Sequence, residues 1–177
     1  MESTVPGAGG MPVQFGRYSL AVAASRIPAP VGRAPDGLMS EVTDRISRGG
    51  QRPTRNRLAI VEALQASPRP LTIHEILDAQ PQLAQSSVYR NLVVLEQART
   101  VRRIVTDHEF ARYELAEDLT GHHHHLICVE CGAVEDVPAP AGLERSVHNA
   151  AEEIARSTGF RTEHHRIDLL GRCKQCA

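Results

Sequence analysis

Residues Ser86 to Ala98 read SSVYRNLVVLEQA. Val88, Leu92 and Leu95 recur at steps of four and three, the period of a helix with one apolar face. What flanks this helix decides the fold. Upstream, TRNRLAIVEALQAS (54–67) predicts a helix capped at Thr54 with Leu58, Val61 and Leu64 inward. PRP (68–70) stops it. LTIHEILDA (71–79) contains Thr72-x-x-Glu75, a capping box that opens the next helix. SEVTDRIS (40–47) predicts a short leading helix, and the segments 101–105 and 110–115, joined by TDHE, predict a β-hairpin. Three helices and a hairpin within about 75 residues make a winged helix-turn-helix.

In that arrangement the last helix enters the DNA major groove with its N-terminal residues toward the base edges. Those residues are Ser86, Ser87, Tyr89 and Arg90. Hydroxyls and a helix N-terminus suit phosphate, Arg90 suits guanine, and the Tyr89 ring suits a thymine methyl. Arg52, Arg55 and Arg57 would grip the backbone. The competing reading is a small helical bundle with solvated arginines, and charge speaks against it. Residues 41–105 hold ten arginines against six acids, whereas residues 106–177 hold seven bases against thirteen acids. A basic half joined to an acidic, His- and Cys-rich half implies a polyanion for one and cations for the other.

The chain has 177 residues, 41% of them hydrophobic, enough for one domain or two small ones. No apolar run approaches the ~20 residues that span a bilayer, and RYSLAVAAS (17–25) is too short and too far from the N-terminus for a signal peptide. No membrane partner and a cytoplasmic location are expected. Residues 1–40, rich in Gly, Pro and Ala, read as a flexible extension, with Met39 as an alternative start. Residues 41–116 are then the winged-helix DNA-binding domain and residues 117–177 a metal-binding dimerisation domain.

In the second half, strands are expected at 122–129, 132–137 and 160–170 around a helix at 141–157. Leu143, Val147, Ala150 and Ile154 give that helix an apolar stripe. A module this small has little core, so a metal or self-association must add stability.

Cys128-x-x-Cys131 and Cys173-x-x-Cys176 are two knuckles of a four-thiolate tetrahedral zinc site, tying the chain end back to the first strand. Two disulfides, or a redox pair, are the competing readings. Between the halves lies GHHHHLICVECG (121–132). If it is extended, side chains alternate, so His122 and His124 face one way and His123 and His125 the other. One run of imidazoles then serves two sites. For the first face the partners are Glu144 and His165, with His148, four residues from Glu144, as the rival helix ligand; His165 shares its parity with Ile167 and Leu169 and so is expected inward among apolar neighbours, whereas His164 shares the other side with Arg166 and Asp168. For the second face, Glu114 from RYEL and Asp136 offer oxygen ligands. An ion gripped there would join the two halves and fix their angle. Two imidazoles and two carboxylates accept zinc, iron or manganese.

SSVYRNL, RYEL, HHHHLICVECG and HHRIDLLGRCKQC together resemble the ferric uptake regulator family of metal-dependent bacterial repressors, over about residues 45–176. The resemblance implies an α+β fold, with an N-terminal winged helix-turn-helix domain and a small C-terminal α/β dimerisation domain, acting as a homodimer on a near-palindromic operator. It implies a structural zinc at the cysteines, a sensing site at Glu114, His123, His125 and Asp136, and a third site at His122, His124, Glu144 and His165. Many relatives carry a sensing histidine in the loop between the first two helices of the winged-helix core; here Pro70 stands there, leaving Asp107 or His108 in the wing turn as substitutes. The segment from Cys131 to Gly159 is slightly longer than is usual in the family. The histidine run resembles zinc-responsive members, and HHRIDLLGRCKQC resembles peroxide-sensing ones. A metalloenzyme would need a base beside the ion, and no HExxH is present; a zinc-buffering or redox-switched module without a DNA role is the other alternative.

Overall fold

The computed structural model describes residues 37–105 and 110–177. The extension before residue 37 and the wing-turn candidates Asp107 and His108 lie outside the described residues.

Four helices build the first half: α1 (Leu38–Arg48), α2 (Arg55–Ala66), α3 (Ile73–Ala79) and α4 (Gln85–Gln97). Strand β1 (Leu71–Thr72) enters α3, and the hairpin β2 (Val101–Ile104) with β3 (Arg112–Leu115) follows α4. These make a three-stranded antiparallel sheet in the order β1-β3-β2. The capping box is present in both directions: Thr72 Oγ1 accepts from the Glu75 amide at 3.2 Å, and Glu75 Oε2 accepts from the Thr72 amide at 2.8 Å. Thr54 does precede α2, but its side chain makes no capping bond. The inward face of α2 is also wider than the expected stripe, since Ala59, Ile60 and Ala63 are buried beside Val61 and Leu64, while Leu58 is only partly buried. Val88, Leu92 and Leu95 of α4 are buried as the periodicity predicts.

After the short helix α5 (Glu117–Thr120), the second half holds β4 (His123–Cys128), β5 (Val134–Pro138), α6 (Ala141–Thr158) and β6 (Asp168–Gly171). Its sheet runs β5-β4-β6, with β5 antiparallel and β6 parallel to β4. Of the expected strand 160–170, Asp168, Leu169 and Leu170 pair, in a strand that runs on to Gly171; the stretch before them lies outside the ladder.

The two halves differ in how they are held together. The first has a continuous apolar core running from Leu38 to Leu119. The second buried cluster is Ile104, Ile127 and Val134, and Ile104 comes from the hairpin. No residue of α6 is buried, and Leu143, Ile154, Phe160, Leu169 and Leu170 are exposed. Among the described residues the predicted stripe therefore has no cover that buries it. Among the described residues no helix is long and apolar enough to cross a membrane.

Candidate metal centres

Strand geometry sorts the histidine run. His123, His124 and His125 are 6%, 2% and 0% exposed, so this is no solvated tag. The His122 and His124 rings stand edge to face with centroids 4.9 Å apart, and His123 and His125 do the same at 5.2 Å on the opposite side. Alternation along β4 produces both pairs.

On the second face, Glu114, His123, His125 and Asp136 present ligand atoms within 4.8 Å of one another. Glu114 Oε2 lies 3.3 Å from His123 Nε2 and 3.0 Å from His125 Nε2. Each ring is oriented from behind. His123 Nδ1 lies 2.9 Å from the Gly121 carbonyl and His125 Nδ1 lies 3.2 Å from Asp168 Oδ1. Those contacts at Nδ1 orient the rings so that each Nε2 is turned toward Glu114, the arrangement that tunes a metal-binding imidazole. Asp168 is thus a residue that the parity argument sent the wrong way. β6 is paired to β4 with His125 opposite Asp168, and Leu169, expected inward, is 53% exposed.

The electrostatics of this face favour a cation. Burial would raise the Glu114 pKa, but bonds from His123 and His125 and the Arg102 charge hold the carboxyl below its ordinary range. Asp136 is pushed up to about 6, first by burial and then by the Glu114 charge. Its Oδ1 is buried without a hydrogen-bond partner, 3.7 Å from His125 Nε2. A buried, unpartnered carboxylate oxygen facing two imidazoles is costly unless a cation sits among them, so the donor set fits a divalent metal.

On the first face, His122, His124, Glu144 and His165 also converge within 4.8 Å. His124 Nε2 is 2.8 Å from Glu144 Oε1; His122 Nε2 and His165 Nε2 are 3.1 and 3.2 Å from Glu144 Oε2. Glu144 projects from the first turn of α6 and gathers three imidazoles. His148 does not join them: it is exposed, with Nε2 3.3 Å from Glu152. Behind His122, Glu117 of α5 contacts Nδ1. Sequence reasoning missed Glu117 because α5 is a single turn with no apolar periodicity.

The four cysteines form a third cluster within the same 4.8 Å span, and no disulfide joins them. Parallel pairing of β6 to β4 sets Cys128 opposite Gly171 and so carries the second knuckle to the first. The Cys173 amide donates to Cys128 Sγ at 3.4 Å, and Cys131 Sγ lies 3.8 Å from Cys173 Sγ. Amides of Cys173 and Cys131 hold the Cys128 thiol down to about 6, while the Cys173 and Cys131 sulfurs push Cys176 up to about 12, so one thiolate is favoured and four together call for a cation among them.

Comparison with known proteins agrees with this arrangement. The model of the ferric uptake regulator family matches residues 48–170. The chain belongs to that family. It is therefore a metal-responsive transcriptional regulator by descent. The peroxide operon regulator of Bacillus subtilis is 30% identical over 143 residues, 78% of this chain and 93% of its own length. The ferric uptake regulator of Helicobacter pylori, described as having three functional metal binding sites, superposes with a TM-score of 0.66 at 25% identity, covering 81% of this chain and 95% of that one. The Pseudomonas aeruginosa ferric uptake regulator with manganese gives 0.59 at 26% identity, covering 74% and 96%.

On this family framework, the start of α4 leaves Ser86, Tyr89 and Arg90 exposed, Tyr89 at 51%. Arg52 and Arg55 are exposed as well. Arg57 is half-buried, its guanidinium donating to Asn91 Oδ1, the Arg52 carbonyl and Gln51 Oε1. Ser87 Oγ likewise serves Asn56 and Asn91, locking α2 to α4. Pro70 is buried, and its carbonyl accepts from Arg112 at 3.3 Å.

Proposed function

We propose that this protein is a cytoplasmic repressor that binds a near-palindromic operator as a homodimer when a divalent metal occupies the site formed by Glu114, His123, His125 and Asp136. One observation carries the reading: Glu114 stands on β3 of the DNA-binding half, whereas both imidazoles stand on β4 of the other half. A ligand gripped by both halves stabilises one relative arrangement over others, which is how occupancy changes DNA affinity. The exposed N-terminal face of α4 supplies the groove contacts. The uncovered apolar residues of α6 and β6 supply a surface for a second copy. The cysteine cluster holds a structural zinc, and the His122 face a third ion. Titrating zinc, manganese or iron(II) into a mobility-shift assay on the protein's operator tests this; equal binding with and without metal overturns it.

A second reading is favoured by the likeness to the peroxide operon regulator. With iron among Glu114, His123, His125 and Asp136, peroxide would oxidise the ligating rings and release DNA. Mass spectrometry of His123 and His125 after peroxide treatment of iron-loaded protein decides between the two; unmodified rings remove this branch.

A further inference from the structure

Arg102 stands between the two imidazole–carboxylate sites, touching Glu114 of one and Glu117, the carboxylate behind His122 of the other. The hairpin register sets it directly across from Glu114. Its Nε and Nη2 close on one oxygen, Glu114 Oε1, at 2.8 and 2.6 Å. Glu114 Oε2 is thereby left to His123 and His125. The remaining nitrogen, Nη1, lies 3.7 Å from Glu117 Oε2, and the other oxygen of Glu117 contacts His122 Nδ1. One unbroken path, Glu114–Arg102–Glu117–His122, therefore joins a ligand of one site to a ligand of the other. Arg102 and Glu117 side chains are 27% and 24% exposed, and Glu114 is 8% exposed, so the path runs mostly out of solvent.

We propose that Arg102 couples the two sites, so that filling either one raises the affinity of the other. This rests on the reading that both clusters bind divalent metal. The physical origin is shared ordering. An ion on His122 Nε2 strengthens the Nδ1–H donated to Glu117 and holds that carboxylate still. Glu117 in turn fixes the Arg102 plane, which presents Glu114 with Oε2 toward His123 and His125. The second ion then finds its carboxylate already placed and loses less side-chain freedom on binding. Linkage makes the effect reciprocal, and couplings of this kind are worth about tenfold in affinity. Since Arg102 sits on β2, the same path also reports both sites to the hairpin.

The test is a cycle on the full-length chain with the cysteine cluster already filled with zinc. Competition against a chromophoric chelator gives the product of the two further zinc affinities in wild type. His165→Ala and His123→Ala give the single-site affinities. The wild-type product should exceed the product of the single-site values by about tenfold. In an Arg102→Gln background, with both single-site values measured again, the excess should vanish. Glu117→Ala keeps the Arg102–Glu114 pair and removes the acceptor of His122; it should abolish the excess too, and it serves if Arg102→Gln folds poorly. No excess in wild type, or an excess that survives both substitutions, overturns the proposal. Two independent zinc ions in wild type sink the coupling alone; no zinc beyond the cysteine cluster sinks the metal-site reading with it.

Discussion

Arg112 Nε donates to the carbonyl of Gly132 at 2.9 Å, while Nη1 of the same guanidinium lies 3.3 Å from both the Pro70 carbonyl and Glu75 Oε2. One planar cation thus spans from the turn of the first cysteine knuckle to the cap of α3. Arg112→Ala leaves a buried carbonyl unpartnered and strips Glu75 of a counter-charge, with an expected loss of about 2 kcal/mol in urea unfolding. Zinc transfer from the cysteines to a chelator should also quicken, because Gly132 adjoins Cys131. Arg112→Lys should not restore either property, since one ammonium cannot reach both ends. Wild-type zinc transfer in the alanine variant would refute the bridge.

Acid should reveal the cap. Burial would raise Glu75, but the hydrogen bond from Arg69, the Thr72 amide and the Arg112 charge outweigh it and hold the carboxyl at about 2, against an ordinary 4.5. A depressed folded pKa means stability that is present above the unfolded value and lost as pH falls through the folded one. The wild type should exceed Glu75→Gln by about 2 kcal/mol at neutral pH, a value discounted because Arg69 is solvent-exposed. That margin should shrink from pH 4.5 toward 2 in paired chemical-denaturation curves. A margin independent of pH would show that the charge is not responsible.

Much of this was readable before any coordinates. Thr72 and Glu75, three apart, cap α3 as their chemistry demands, and alternate imidazoles separate because a strand has period two. What stayed hidden depends on pairing across the chain. Asp168 reaches His125 only because β6 runs parallel to β4 in a particular register, which local parity cannot supply. Arg102 meets Glu114 through hairpin register, and Arg57 and Ser87 are drawn inward by Asn56 and Asn91 on facing helices. The exposure of Leu169 and Leu170 has the same origin, since an apolar residue reads as core whether this chain or another covers it.

Replacing neighbouring histidines should give unlike proteins. His123→Ala should lose one equivalent of bound metal and the metal dependence of operator binding. His122→Ala should lose a different equivalent while a metal response persists, weakened by the missing ion. Elemental analysis with mobility shift distinguishes them; identical phenotypes would mean a single shared ion.

Cys173→Ser should unfasten the C-terminal half, which among the described residues contributes just Ile127 and Val134 to the second buried cluster, against Ile104 of the hairpin. Structural zinc contributes on the order of 10 kcal/mol in zinc-finger peptides, so the expected outcome is loss of that ion and a lower first thermal transition. A variant that retains zinc and melts like wild type would assign the cysteines another role.

Arg90→Ala should weaken operator binding about 10- to 100-fold and relax preference at one base pair, the cost of a bidentate guanine contact. An equal loss on every sequence would move Arg90 to the phosphates.

Because the extended chain from His122 into β4 deals its rings alternately to two ligand clusters, the segment from Gly121 to Leu126 should tolerate exchange of side chains far better than a change in their number. Deleting one residue would hand each cluster's imidazoles to the carboxylates of the other, leaving Glu114 and Glu144 facing the wrong partners. Substitution can therefore retune either cluster, whereas a position gained or lost here should dismantle both.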